Sequence, residues 1–400
     1  MLRKPRLFTP GPTPLLPEAA RAMSAADVHH RTADFRALFA KTLIDLQTFL
    51  GTKHDVLVLA ASGTGAMEAS VTNFHSPGDK VLVLTAGKFG ERWMDLAKAF
   101  GLEREIVPAE YGATFDLDQV KRYLKPDVRA VYVQATESST GVRHDVRAIA
   151  ELVRMHSDAL LVVDAITGLG TTTLDPDGWG IDVLIGGSQK ALMIPPGLAY
   201  LSVSERAWKR AETAKCPRFY FDLAKERKAA AKGESAFTPA TALIAALAAA
   251  LDYLRMAGNG DLVVGRAALI HNAETAAVMT RAAVEALGLH LFAKQSPASA
   301  LTAIAPPEGV DSGAIVKAFR EDFGAVVANG QGDMKGKMFR IAHLGFYDYL
   351  DTIAIVAALE HVLAKVLAPK HVEFGRGVRA AQVEYAKATA PNHRSAIPTR

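Results

Sequence analysis

One cysteine, Cys216, stands in 400 residues. A single thiol excludes a disulfide framework, and with no second cysteine near it there is no CxxC pair. An excess of one charge is missing too: the formal net charge is +4, with lysine and arginine spread along the chain and denser only around residues 225–232 and at the carboxyl end. That spread argues against a nucleic-acid surface and reads as solvated faces. The twelve histidines never fall in an HExxH or similar spacing, so a metal site has no support. No apolar run approaches a membrane span of about 20 residues; Ala240 to Leu251 is too short and is interrupted by Thr241. Met1-Leu2-Arg3-Lys4-Pro5 carries charge and proline without an apolar stretch of signal-peptide length. Internal repeats and low-complexity linkers are absent. These absences together predict a soluble, cytoplasmic protein.

What is present is a large hydrophobic content. Half of the residues are apolar, enough for a big core and, at this length, for two domains. From about residue 55 to 205, short apolar segments alternate with helical ones. The strand candidates are Val56–Leu59, Lys80–Thr85, Glu105–Pro108, Ala130–Gln134, Leu160–Asp164, Val183–Gly186 and Leu198–Val203. Between several of them lie the amphipathic stretches Glu91–Phe100, Leu117–Leu124 and Val146–His156. Most of the strands are continuously apolar rather than alternating. That pattern predicts an α/β fold with a mostly parallel sheet covered by helices on both faces. Such sheets bind ligands outside the carboxyl ends of their strands.

Beyond residue 204 the pattern changes. A helical tract over Pro239–Met256 stops at Gly258-Asn259-Gly260, and a second runs over Leu262–Leu287. Strands at Leu289–Phe292, Leu301–Ile304 and Phe339–Ala342, with helices at Ser312–Phe323 and Asp348–Leu367, predict a smaller α+β unit. The resulting division is a proline-rich extended arm over 1–20, a large domain over 21–258, a small C-terminal domain over 259–376, and a weakly patterned, mobile tail over 377–400.

The residues with chemical potential fall at strand ends. Val183–Gly186 runs through Gly187-Ser188-Gln189 to Lys190. A lysine at the end of a buried strand is desolvated, which favours its neutral, nucleophilic form. Leu160–Asp164 ends in a carboxylate, the group that a pyridoxal phosphate enzyme needs opposite the pyridine nitrogen. Taken alone, Lys190 reads better as a solvated loop lysine and Asp164 as a helix cap; it is the features taken together that favour the chemical reading. Val56–Leu59 runs into Ser62-Gly63-Thr64-Gly65 and a helix start, which together form a phosphate cradle: tight glycine turns, free N–H groups, a positive dipole end and two hydroxyls. A dinucleotide fingerprint is disfavoured, because Glu68 stands where a small residue is wanted and Asp79 precedes the next strand instead of ending it.

Phe89, between glycines after Lys80–Thr85, is either a ring for stacking on a flat heterocycle or a core aromatic. Gln134-Ala135-Thr136-Glu137-Ser138-Ser139-Thr140-Gly141 is either a ligand-binding cluster or a capping loop. Thr238 is an N-cap or a phosphate donor. Arg340 is a charge inside an apolar strand and should face a carboxylate of the protein or of a substrate.

Pro10-Gly11-Pro12, Ser62-Gly63-Thr64-Gly65, Glu137-Ser138-Ser139-Thr140-Gly141, Asp164, Ser188-Gln189-Lys190, Pro195-Pro196-Gly197 and Arg340 occur in the order found in one family. The chain resembles the class V aminotransferases, fold-type I pyridoxal phosphate enzymes, and is most similar to the alanine–glyoxylate, serine–glyoxylate and serine–pyruvate group. The resemblance runs from about residue 7 to 365.

It implies pyridoxal 5'-phosphate as cofactor, held covalently by Lys190, which then moves the substrate's proton. Asp164 would keep the pyridine nitrogen protonated, and Phe89 would stack on the ring. Ser62, Gly63, Thr64 and Gln189 would hold the phosphate, and Ser138 the ring hydroxyl or its surroundings. Thr238 would reach the phosphate of the partner subunit in a homodimer. Gly11 and Arg340 would meet the substrate, Arg340 through a bidentate pair with its α-carboxylate.

Ser235 stands where some eukaryotic members carry a tyrosine. The segment Ala236-Phe237-Thr238-Pro239, with Phe219-Tyr220-Phe221-Asp222 upstream, is closer to an archaeal and bacterial branch, some of whose members are labelled as a soluble hydrogenase subunit. Whether Tyr220 helps to complete the partner's site stays open at this point.

The implied activity is ping-pong transfer of an amino group from alanine or serine to glyoxylate or pyruvate. Two other readings are kept. One is the same chemistry on aspartate or an aminophosphonate, which would want an extra cation such as His30 or Arg31. The other is a cofactor-holding subunit of a larger assembly. A desulfurase is disfavoured, since Cys216 precedes a proline in an unrelated region.

Overall fold

A computed structural model describes residues 3–367 and 372–390. Strands are numbered along the chain. β1 is Arg6–Phe8, β2 Asp55–Leu59, β3 Lys80–Thr85, β4 Glu103–Pro108 and β5 Val128–Gln134. A short hairpin follows, β6 Thr136–Glu137 and β7 Val142–Arg143, and then β8 Leu160–Asp164, β9 Val183–Gly187 and β10 Ala199–Val203. The last four are β11 His290–Leu291, β12 Leu301–Ala305, β13 Ala325–Asn329 and β14 Phe339–Ala342.

The larger sheet has seven strands in the order β2-β10-β9-β8-β5-β3-β4. All are mutually parallel except β10, which runs against both of its neighbours. The cause is visible in side-chain alternation. Val131, Val133, Leu161 and Val163 enter one apolar core with Phe39, Leu46 and Ile149. Their neighbours Ala130, Tyr132, Leu160 and Val162 enter the opposite core with Met67, Trp93 and Trp208. Both faces are buried, so the strands must be apolar throughout. Each buried Val or Leu contributes about 1.5–3 kcal/mol relative to exposure. The mostly parallel α/β architecture anticipated from the sequence is the one observed.

The smaller sheet has the order β1-β13-β14-β12-β11 and packs on a third core built around Phe8, Phe319, Phe339, Ile341 and Leu359. Part of the segment read as an extended arm belongs to this sheet's edge. Arg6, Leu7 and Phe8 pair in parallel with Ala325, Val326 and Val327, and Pro17–Ala25 is helical. Phe8 is buried, and that apolar anchor holds the edge strand.

The carboxyl end differs as well. Arg376–Ala388 is a helix rather than an unstructured tail, and its Ala381 packs among Met279, Ala283 and Val356. The buried carboxylate of Glu360 accepts from the N–H groups of Gly375, Gly377 and Val378 at 2.7, 2.8 and 3.2 Å. It satisfies the orphan donors of that helix start and complements its dipole. The remainder of the expected tail, 391–400, lies outside the described residues. Among the described residues, no single helix is long and apolar enough to cross a membrane.

Candidate active site

The six parallel strands present their carboxyl ends along one edge of the large sheet, and a cavity of about 290 Å³ opens there. β2 delivers Ser62, Gly63 and Thr64 to it, β3 delivers Phe89, and the β6–β7 hairpin delivers Ser138. Asp164 comes from β8, and Gln189 and Lys190 from β9. Gly11 closes the wall from the amino-terminal segment. Nine of the eleven residues singled out in the sequence therefore share one cavity. Arg340 and Thr238 are not on its wall.

Lys190 is buried, and its Nζ donates to the carbonyl of Pro10. The Thr13 hydroxyl donates to the carbonyls of Lys190, at 2.9 Å, and Gln189, at 3.2 Å. The amino-terminal segment is thus a structural part of the site. Gly11 has φ +150°, and a Cβ there would lie 2.6 Å from Nζ of Lys190, so both its conformation and the close approach require glycine. Lys190 begins a tight turn in which the N–H of Met193 donates to its carbonyl at 3.0 Å, with Met193 held at φ 59°. A left-handed methionine is costly and is found where a site demands it.

Burial pushes the Lys190 amine down to about 8; Asp164 opposes this, while Arg340 and Arg92 reinforce it. Burial likewise pushes the Asp164 carboxyl up to about 6, against the N–H of Ile166, which it accepts at 2.9 Å, and the positive charges of Lys190 and Arg92. The lowered lysine has a direct consequence. At pH 7 a pKa near 8 leaves about 10% of the amine neutral, against less than ~0.1% for an ordinary lysine. Mixing the coenzyme-free protein with an aldehyde should therefore give a capture rate that climbs through pH 8 and then levels. Stopped-flow absorbance would show it, and a rate still climbing steeply at pH 10 would contradict the assignment.

Ser62 precedes the helix Gly63–Phe74 in an extended conformation, and its hydroxyl caps no backbone N–H. Gly65 donates to the Ser62 carbonyl at 2.8 Å, which leaves the N–H groups of Gly63 and Thr64 for an anion. Thr64 Oγ1 is 3.1 Å from a donating Arg92 Nη1. Gln189 Oε1 is buried on the cavity wall without a hydrogen-bond partner. An amine for an aldehyde, a buried carboxyl for a pyridine nitrogen, and an uncapped helix start with hydroxyls for a phosphate together fit pyridoxal phosphate.

Two residues to which the sequence assigned no role of their own join the site. Arg92 lines the cavity, with its guanidinium carbon 4.8 Å from the centre of the Phe89 ring. Its signal was the three-residue spacing from Phe89 on a helix. His30 and Arg31, the cations named from sequence, do not line the cavity. Glu137 is buried beneath the site and accepts from the N–H groups of Phe89 and Gly90, each at 3.1 Å, and from the Ser139 hydroxyl at 2.6 Å. It fixes the backbone that carries Phe89 to the hairpin that carries Ser138. Gly87 makes this possible, because a Cβ there would lie 2.6 Å from Glu137.

Arg340, on β14, is buried behind the hairpin. It donates from Nη1 to the Ser138 carbonyl at 2.7 Å and from Nη2 to that of Asn329 at 2.6 Å, while Nε has no partner. Among the described residues it pairs with no carboxylate, so the protein side of the sequence expectation is not met. Thr238 is exposed in a segment beside Tyr220 and Phe237, whose rings stack at 4.9 Å. It lines a separate small cleft with those residues and Glu226.

The family model described as aminotransferase class-V matches residues 16–335. The soluble hydrogenase 42 kDa subunit of Anabaena cylindrica is 41% identical, over 94% of this chain and 97% of that protein. The serine–glyoxylate aminotransferase of Methylorubrum extorquens is 33% identical, over 88% of this chain and 90% of its own. The crystal structure of a subgroup IV aspartate aminotransferase from Thermus thermophilus is similar with a TM-score of 0.83 at 34% identity, covering 90% of this chain and 99% of its own.

Proposed function

The chain belongs to the class V aminotransferases, a pyridoxal phosphate-dependent family, and on that premise we propose that it transfers the amino group of alanine or serine to glyoxylate or pyruvate. The observation that carries this reading is the buried pair Lys190 and Asp164, set in one cavity beneath the uncapped helix start at Ser62. Bound pyridoxal phosphate supplies an electron sink that makes the substrate α-proton acidic.

The protein's residues do the rest. The Lys190 amine would hold the coenzyme and would serve as the base that takes the substrate α-proton and gives it back. Asp164 holds a proton on the pyridine nitrogen. Ser62, Gly63, Thr64 and Gln189 would hold the phosphate, Phe89 would pack against the ring, and Ser138 would meet the ring hydroxyl or its surroundings. Arg340 takes the substrate carboxylate near Gly11. Thr238, exposed on its own subunit, completes the phosphate site of a second copy in a homodimer. Donor and acceptor use one site in turn, hence ping-pong kinetics.

A second reading is favoured by one observation. Arg92 is an additional cation on the cavity wall, the feature a dianionic donor such as aspartate would want. A screen of alanine, serine and aspartate against glyoxylate and pyruvate separates the two. We expect kcat/KM for alanine or serine with glyoxylate to exceed that for aspartate by at least about tenfold, the discrimination that ~1.4 kcal/mol gives. A preference for aspartate that Arg92→Leu selectively removes would transfer the conclusion to the second reading. Absence of transfer from every donor would end both.

A further inference from the structure

Thr238 sits in an irregular segment, 235–239, outside any helix or strand, yet that segment is tied down from beneath. Glu226, on the helix Leu223–Ala230, is 6% exposed, and its Oε2 accepts from the N–H of Ala236 at 2.9 Å. Its other carboxyl oxygen is buried without a partner. Burial pushes the Glu226 carboxyl up to about 7, and the hydrogen bond from Ala236 opposes that rise, so this one contact favours the charged form.

The helix that carries Glu226 is itself fixed to the phosphate cradle. Asn73, at the far end of the helix Gly63–Phe74, donates to the carbonyl of Phe221 at 2.6 Å and accepts from the N–H of Leu223 at 3.0 Å. Phe221 also lies close to the first turn of that helix, 3.0 Å from where a Cβ on Gly65 would be. A continuous set of contacts thus runs from the cradle helix through Asn73, Leu223 and Glu226 to Ala236, two residues from Thr238.

We propose that Glu226 is a positioning residue for coenzyme binding: by holding Ala236 it sets the segment that presents Thr238 to the phosphate site of the partner subunit. This rests on the reading of Thr238 given above. One subunit's cradle helix, which serves its own site, is thereby tied to the threonine that it lends to its partner's site.

The test uses the full-length enzyme loaded with pyridoxal phosphate and measures the rate of coenzyme release into buffer, hydrogen exchange of the peptide containing Ala236, and the midpoint of thermal unfolding. Glu226→Ala should release coenzyme about three- to tenfold faster, as expected for losing one buried hydrogen bond, and should raise exchange at Ala236. Glu226→Gln keeps an acceptor oxygen and should stay within about twofold of the parent. Should Glu226→Ala fail to fold, Glu226→Leu removes the acceptor while filling the space, and the same release rate is read there.

Thr238→Ala separates the two ideas. If it speeds release and the Glu226 variants do not, the positioning role of Glu226 is overturned while Thr238 stands. If Thr238→Ala leaves release unchanged, the reading of Thr238 falls, and the proposal with it.

Discussion

Lys190→Ala should give a protein that folds, forms no covalent attachment to pyridoxal phosphate, and shows no measurable transamination. Two separate functions are lost with one side chain. The first is covalent attachment: without the Nζ that now donates to the Pro10 carbonyl, no lysine amine remains on the cavity wall to condense with the coenzyme aldehyde. The second is proton transfer at the substrate α-carbon, where a positioned base contributes about 10²–10⁴-fold on its own.

The two losses multiply, so turnover should fall by at least about 10⁴-fold. Arg92 cannot substitute, since its guanidinium is engaged as a donor to the Thr64 hydroxyl and lies over the Phe89 ring. Folding should survive: removing a buried amine whose ionised form is already disfavoured by desolvation relieves a cost. Absorbance spectra of the loaded protein and a single-turnover assay check both functions. Residual turnover within a hundredfold of the parent would mean that another group carries the chemistry.

Much of this site was legible because its physics is local. Leu160–Asp164 and Val183–Gly187 must be apolar on both faces, so the polar residues that end them stand out, and both Asp164 and Lys190 were found on that ground. The rest depends on contacts distant in sequence. Arg6–Phe8 carries too few residues for any period and becomes a strand only beside Ala325–Val327. Arg376–Ala388 has a weak pattern of its own and is set by Glu360 and by packing against Met279 and Ala283.

Arg92 and Glu137 were visible as residue types, but nothing in one dimension shows that the first faces the cavity and the second lies under Phe89. Thr238 was assigned from the resemblance. Its exposure in a single chain accords with the proposal that a second copy completes the site, and that proposal awaits the coenzyme-release test.

Arg340→Ala should raise the Michaelis constant for amino and keto acid substrates while leaving coenzyme binding nearly intact. In the absence of substrate, the guanidinium spends one Nη donor on the Ser138 carbonyl and one on that of Asn329, and Nε is unpaired. Those two backbone bonds hold the plane of the fork, so an incoming carboxylate meets donors whose orientation is already set. Burial lowers the Arg340 pKa to about 10, with Glu137 opposing, which still leaves the group charged at neutral pH. A buried cation without an anion is costly, and a substrate carboxylate relieves that cost.

Losing such a charge-assisted pair should cost about 2–3 kcal/mol, or roughly 30- to 160-fold in KM. Arg340→Lys should recover only part of this, because an ammonium offers a point charge where two parallel donors are needed. The effect should vanish for an amine donor that lacks a carboxylate, which distinguishes recognition from general damage to the hairpin that carries Ser138. Steady-state kinetics with matched carboxylate and decarboxylated donors measures the difference. An unchanged KM for the carboxylate would place substrate recognition on another cation, and Arg92 is the one positioned to take it.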